Sequence, residues 1–512
     1  MMKQWIRRLS LAAALVLCLG LLLVCGACTS NENAGDTTAG MTEGSTSGVT
    51  AGQTDAATDA ATDAATEALT DGETTRDAAT EADPETTSEP ATTDEPATDA
   101  VTTAPETEPV VLWEVDTGVF NEGKVTYTKE EDGSVSATPA EGVSLGLDVT
   151  DKYDLVSICY TVWFDYILHK SDTGVDEYYD ISKALSGEAD WGGSPAFHYW
   201  SKPEQGYYCS SNRDVIRTHM TQLYAAGVDF IILDHTNLSY WYVENPPYKE
   251  WMIDNPMIAI FETIMEMRAE GLGTPYVAMW VGSGDERLYD YLYDNFYGQE
   301  KWADCFVYWD NKPFMLTTTL HDETNPAPEE FTTRCMGGLL DKDTMKSGLW
   351  NFLAINNAKY CTTNAAGEAE QIAVCVAAQE TFMSADTAHG RLGGVFWYAQ
   401  WTSAFKHRPK FITLIWWNEW AAQRLYITDG PYADQYHFTD AYSPENSRDI
   451  EPMEGGHGDQ YYRWMIEYIY AYKNHWECPM LVEEQYLTAE YQPKIDLFMK
   501  KYKRGTSDRT LE

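Results

Sequence analysis

Arg213-Asp-Val-Ile-Arg-Thr-His-Met-Thr-Gln-Leu-Tyr-Ala-Ala-Gly227-Val-Asp-Phe-Ile-Ile-Leu-Asp-His-Thr-Asn237 is the stretch that decides the fold. Its first half places Val215, Ile216, Met220, Leu223 and Tyr224 at the spacing of one helical face, so a helix is predicted over Arg213–Ala226. Gly227 supplies the stop. Val228–Leu233 then reads as a short apolar strand, and it runs into four polar residues, Asp234, His235, Thr236 and Asn237. A helix followed directly by a buried strand is the repeating unit of parallel α/β architecture.

The same alternation extends outward from this stretch. Leu155–Phe164 is the preceding strand candidate, and a helix at Pro256–Glu270, closed by Gly271, leads to a strand at Tyr276–Trp280. Further strands are expected at Phe306–Trp309, Phe314–Leu316, Thr333–Leu339, Val395–Trp397 and Phe411–Trp416. Eight such strands across residues 151–475 suit an α/β fold of the (β/α)8 TIM-barrel type. A doubly wound sheet is the alternative, but it calls for a Gly-rich phosphate-binding turn after a strand, and the chain has none.

Upstream the composition changes. In residues 111–150, Leu112–Val115 and Lys124–Thr128 alternate around a turn at Glu131-Asp-Gly133, a short β-rich segment. Residues 29–110 contain no Phe, Trp or Tyr, and carry 19 acidic residues against the single Arg76. Such a Thr/Ala/Asp/Glu/Pro-rich stretch cannot bury enough apolar surface to order itself, and it reads as a disordered linker. Residues 1–28 read as a lipoprotein signal peptide, with Lys3, Arg7 and Arg8 ahead of an apolar run at Leu9–Val24. Cys28 is the expected lipidation site and Cys25 its rival. The expected location is the extracellular face of the cell membrane, held there by the lipid. Residues 476–512 form a C-terminal extension, with a helical pattern at Lys494–Tyr502.

The net charge of −45 argues against nucleic acid as a partner, since an acidic surface repels phosphates. Seven cysteines follow the signal, at 159, 209, 305, 335, 361, 375 and 478, with no C-x-x-C pair. That is neither a zinc framework nor a small disulfide scaffold, and most are expected to be buried thiols. H-E-x-x-H and EF-hand patterns are missing, so neither metal nor cofactor is expected.

In a barrel of this kind the active site forms where the strands end. Asp234 therefore stands out, with His235 and Asn237 beside it. So does Trp416-Trp-Asn-Glu-Trp420, a carboxylate among three tryptophans after the last strand. Apolar walls raise a carboxyl pKa and suit a proton donor, and Trp faces stack on sugar rings. The competing reading pairs Glu419 with a buried arginine such as Arg424. Glycosidic cleavage needs two carboxyl groups, one to protonate the leaving oxygen and one to attack or to activate water. Glu419 and Asp234 lead as the catalytic pair; Asp285 and Glu286 come next, then Glu451. Expected substrate contacts are Trp417, Asn418, Trp420, Trp280, His235, Asn237, Glu286 and Arg424. The aromatic run Ala196–Tyr208 adds His198, Tyr199 and Trp200, and the Gly-rich loop Arg448–Asp459 adds Glu451 and His457.

Ala225–Asp234 and Trp417-Asn-Glu-Trp420 resemble bacterial barrel hydrolases related to the endo-α-mannosidase group, glycoside hydrolase family 99, and to the similar family 71 and WbsX-type proteins. The likeness spans roughly residues 150–475. It implies a barrel and an endo-acting glycosidase with Glu419 catalytic. The chain departs from the pattern at Trp416, where endo-α-mannosidases carry another Glu, and at Ala422, where WbsX-type proteins often carry an acidic residue. Mechanism and mannose specificity are therefore not carried over. The expectation is a monomeric cell-surface glycoside hydrolase acting on a polysaccharide or glycan. The alternative is a non-catalytic glycan-binding surface lipoprotein, with an inert stalk protein as a third reading.

Overall fold

In a computed structural model the described residues are 123–170, 181–192, 196–282, 284–321, 325–338, 348–352, 361–378, 389–428, 433–439 and 443–487. The signal segment with Cys25 and Cys28, the linker, Leu112–Val115 and Lys494–Tyr502 lie outside them.

Eight strands carry the architecture: β1 (Leu155–Thr161), β2 (Phe230–His235), β3 (Tyr276–Val281), β4 (Lys312–Thr317), β5 (Thr332–Gly338), β6 (Leu349–Asn351), β7 (Ala369–Cys375) and β8 (Phe411–Ile415). They pair in parallel in the order β6-β5-β4-β3-β2-β1-β8-β7. First and last strands thus meet at β1 and β8, as in a (β/α)8 ring. The seam between β6 and β7 carries no ladder. There the Gln371 side chain accepts from Asn351 N at 2.9 Å and donates to Asn351 O at 3.2 Å and Thr413 Oγ1 at 3.1 Å. The expected closed barrel is therefore a mostly parallel sheet of the same strand order, open at one seam. β6 is three residues long.

Successive side chains along a strand point to opposite faces. On β1, Val156, Ile158 and Tyr160 join the large outer core with the helices, whereas Leu155 and Cys159 join an inner core with Phe230, Ile232, Ala278, Phe314, Trp350, Ala373 and Ile415. Both faces are buried, which is why these strands read as near-continuous apolar runs.

The helices used below are α1 (Arg213–Ala225), α2 (Asn255–Ala269), α3 (Glu286–Leu292), α4 (Val395–His407) and α5 (Gln460–Lys473). Asn212 caps α1 by accepting from Asp214 N and Val215 N. Gly227, at φ +84°, ends it. Val228 N then bonds back to Leu223 O, so Val228 belongs to the helix end and β2 starts later than predicted.

Two predicted strands are corrected. Val395–Trp397 opens α4, since a short apolar triplet does not distinguish helix from strand. Phe306–Trp309 yields a strand at Val307–Trp309 that lies off the ring, parallel to Leu147–Asp148 and antiparallel to β4. Their places are taken by β6 and β7. β7 escaped notice because it buries Glu370 and Gln371. Glu370 is satisfied by Arg334 at 2.7 Å and Trp350 Nε1 at 2.6 Å.

The segment before β1 forms a hairpin, Val125–Lys129 with Val135–Pro139. Tyr127 and Gly146 bond to Asp304, which pairs with the buried Arg268 of α2 at 2.9 Å. The loops after β1 and β8 build a three-stranded antiparallel sheet, Ala196–Tyr199, Ala421–Ile427 and Gln435–Phe438. The seven described cysteines are free, and five of them (159, 305, 335, 361 and 375) are buried. Among the described residues, no helix is long and apolar enough to cross a membrane.

Candidate active site

Thr161, Asp234, Trp280 and Leu316, at the C-terminal ends of β1 to β4, stand at one register level. Alternation turns Asp234 inward, above Ile232 of the inner core. Its Oδ1 accepts from Thr236 N at 3.0 Å and its Oδ2 from Trp163 Nε1 at 3.4 Å. Close contact between the β2 and β3 exits depends on Gly282, where a Cβ would come within 1.6 Å of Thr236 O.

On the other side of β1 from β2, β8 leads into the tryptophan-rich run through a cis Ile415–Trp416 peptide. Trp416 stays in the inner core beside Trp280 and Phe352, with ring centroids 6.1 and 5.6 Å away, and donates from Nε1 to Thr161 Oγ1 at 2.9 Å. Trp417 turns outward onto His219 and Tyr462. Asn418 spans to the end of β1, accepting from Thr161 N at 2.8 Å and donating to Thr161 O at 3.3 Å and Tyr208 OH at 3.2 Å. That bridge ends β1 at Thr161, short of the predicted Phe164, where a helix starts instead. Trp420 stacks on Trp200 at 4.7 Å and donates to Glu451.

Glu419 lies among these residues, 4% exposed against 6% for Asp234. Its carboxylate pairs with Arg448, and its N–H donates to Asp449. The expected apolar-walled acid is corrected: a buried guanidinium faces it. Nor is that partner Arg424, which lies over Tyr436 at 3.5 Å and Trp191 at 5.1 Å. Asp234 and the run that carries Glu419 both follow the end of β1, through Thr161. Burial pushes the inward Cys159 thiol well up, and the charges of Asp234 and then Glu419 push it further.

The other expected site residues are distributed differently. Glu451 is fully buried, held by His219 Nε2 at 2.8 Å, Tyr208 OH at 2.7 Å and Trp420. It braces the layer between strands and α1 and does not open on the ring. His235 sits on the face of β2 opposite Asp234, and burial holds its imidazole down at about 4. Asn237 is exposed in the following turn. His198 is buried against Trp191 O at 3.0 Å and is likewise held at about 4 by burial. Tyr199 packs on Tyr207 and Phe164, and Trp200 donates to Glu419 O at 3.2 Å. Asp285 caps α3 and pairs with Arg287, beside an exposed Glu286. His457 lies edge-on to Tyr461, and burial drives its pKa down to about 2. No cluster of metal-ligating side chains occurs among the described residues.

Sequence reading missed Thr161, Trp163, Arg391, Arg448 and Asp449. The available signal was Arg448-Asp-Ile-Glu451, where charged residues flank a lone Ile450. All four are buried. Burial pushes the Asp449 carboxyl up to about 7, although Arg391 and Arg448 pull it back.

Comparison with known proteins finds no matching family and no matching curated protein. Among solved structures, the chain is similar to the GH99 endo-alpha-mannosidase from Bacteroides thetaiotaomicron, at 13% identity and a TM-score of 0.42, over 63% of this chain and 98% of that one. The same enzyme in complex with bis-tris-propane gives 12% and 0.39 over the same shares. A glycoside hydrolase-like protein gives 12% and 0.35, over 64% of this chain and 97% of that one. The first two belong to the family that the sequence resembles.

Proposed function

We propose that the protein is a glycoside hydrolase that works through Asp234 and Glu419, displayed at the cell surface on a lipid carried by Cys28. The observation that carries this reading is that Asp234 turns inward at the end of β2, level with Thr161, and that the β8 exit leading to Glu419 is fastened to the same Thr161 by Trp416. Phe352, part-buried against Trp280 and Trp416, supplies aromatic surface at the same end. In glycosidic cleavage one carboxyl protonates the departing oxygen while the other stabilises or attacks the anomeric carbon, or activates water. The ion pair with Arg448 suits Glu419 to the role that stays charged. Asp234 is then the proton donor. Trp417, Asn418 and Trp420 act behind the site, fixing the reach of Glu419, because all three are fully buried.

The test is turnover by the purified full chain on a panel of polysaccharides and oligosaccharides, repeated with Glu419→Gln and Asp234→Asn. Each substitution lowers kcat about 10²–10⁴-fold, the usual worth of such a group, with the melting temperature preserved. Asp234→Asn retains more activity on an aryl glycoside whose leaving group needs no proton, whereas Glu419→Gln does not. Full turnover by Glu419→Gln refutes the assignment. Binding of a glycan without turnover by the wild type indicates a binding lipoprotein instead.

A further inference from the structure

Residues 443–453 run beside the Trp416–Glu419 segment and are tied to it by main-chain and side-chain hydrogen bonds. Trp416 N donates to Arg448 O at 2.9 Å, while Ile450 N and Glu451 N donate to Trp417 O at 3.1 and 3.0 Å. Arg391, just before α4, fastens this segment from the far side, donating to Pro444 O at 3.0 Å, Ser447 Oγ at 2.6 Å and Asp449 O at 2.6 Å. Within this clasp two neighbouring side chains divide the hold on one glutamate. Arg448 takes its carboxylate and Asp449 takes its backbone N–H.

We propose that Asp449 is a positioning residue for Glu419: it anchors the glutamate's main chain so that Arg448 presents the carboxylate to the mouth of the ring. This inference rests on the catalytic reading of Glu419 given above. The main-chain hydrogen bond fixes where the Glu419 Cα sits, and the guanidinium then fixes the side chain. Placement errors of about 1 Å in a catalytic group cost on the order of 10²-fold in rate.

The charge state of Asp449 tunes this arrangement. Its other oxygen, Oδ2, is buried with no hydrogen-bond partner among the described residues. The charged groups that act on it are Arg391 from the approach to α4, Arg448 and Glu451 from its own loop, and Glu419 from the β8 exit through its N–H. Burial sets its pKa near 7, so it is neutral in mildly acidic conditions. A neutral Asp449 leaves the Arg448 charge to Glu419 alone. Once ionised, it competes for that guanidinium and repels the glutamate. The active arrangement is therefore favoured below about pH 7 and is weakened above it.

The experiment compares the full chain with Asp449→Ala and Asp449→Asn in two measurements. The first is peptide-resolved amide hydrogen exchange over residues 416–420, which needs no substrate. Asp449→Ala speeds exchange there at least tenfold and Asp449→Asn, which keeps an acceptor oxygen, speeds it less. Unchanged exchange in Asp449→Ala overturns the proposal whatever the protein's activity. The second uses the best substrate from the glycan panel. Asp449→Ala lowers kcat about 10²-fold with KM changed less than threefold, and Asp449→Asn recovers part of that loss. Asp449→Asn also abolishes the fall in kcat that the wild type shows above pH 7. An unchanged alkaline limb in Asp449→Asn, or losses confined to KM, overturns the proposal. A wild type that turns over no glycan counts against the hydrolase reading, and the exchange result still decides whether Asp449 anchors Glu419.

Discussion

Glu419 and Asp449 share a hydrogen bond and occupy nearly the same burial, yet their carboxylates face different partners. Glu419 meets a guanidinium, whereas Asp449 keeps one oxygen without a partner among the described residues. The cost of that burial is a prediction about stability. The Asp449 pKa in the folded protein, about 7, lies above its ordinary value of 3.8. The folded state therefore holds a proton that the unfolded chain releases across this interval. Stability linked to this group is complete below about pH 4 and is lost as pH rises towards 7. Asp449→Asn has no proton to lose. Its melting temperature should gain on that of the wild type steadily from pH 4 to pH 7, and a difference that stays constant over that range would show that Asp449 does not titrate there. At this scale the sequence disclosed the acids and hid their partners. Asp234 follows an apolar run directly and Glu419 comes one residue after one, so the end of a strand exposes them to inspection. Arg448 and Asp449 sit in a polar loop that reads as solvated, and only the tertiary fold reveals that they are buried.

Elements were legible where their period was unbroken. α1 and α2 came within a residue of their observed ends, because a glycine stop closes the apolar stripe of each, and Asn212 also caps α1. β7 was not legible, since two of its seven residues, Glu370 and Gln371, are polar and buried. Gln371 is also what holds the β6–β7 seam. Replacing it with alanine removes its two hydrogen bonds to the Asn351 main chain, at about 0.5–1.5 kcal/mol for each. Gln371→Ala should lower the urea midpoint accordingly with little change in slope, as read by tryptophan fluorescence. A variant as stable as the wild type would mean that the seam closes by other contacts. The same short apolar runs explain the two misplaced strands, for Val395–Trp397 and Phe306–Trp309 carry no period long enough to settle their type.

For the whole molecule, composition alone separates a chain segment rich in aromatic residues from an acidic one without any. The described body begins at residue 123, so the proposal of a lipid-held stalk rests on the residues before it. Cys28→Ser should move the protein from the membrane fraction to the soluble fraction, as followed by fractionation and immunoblotting. Retention in the membrane would point to Cys25 or an uncleaved apolar segment. Six of the eight parallel strands, β1 to β5 and β8, were within reach of the sequence, and all of these but β5 carry an apolar run buried on both faces. The open seam was not, since it depends on one side chain substituting for a ladder.

The proposed reaction has two carboxyl groups meeting one sugar at the strand ends. The most direct measurement is a crystal structure of the Glu419→Gln protein with an oligosaccharide from the panel bound. The account predicts the scissile linkage between residues 234 and 419, with their side-chain oxygens about 5–10 Å apart. A sugar bound elsewhere, or a linkage beyond the reach of either side chain, would contradict it.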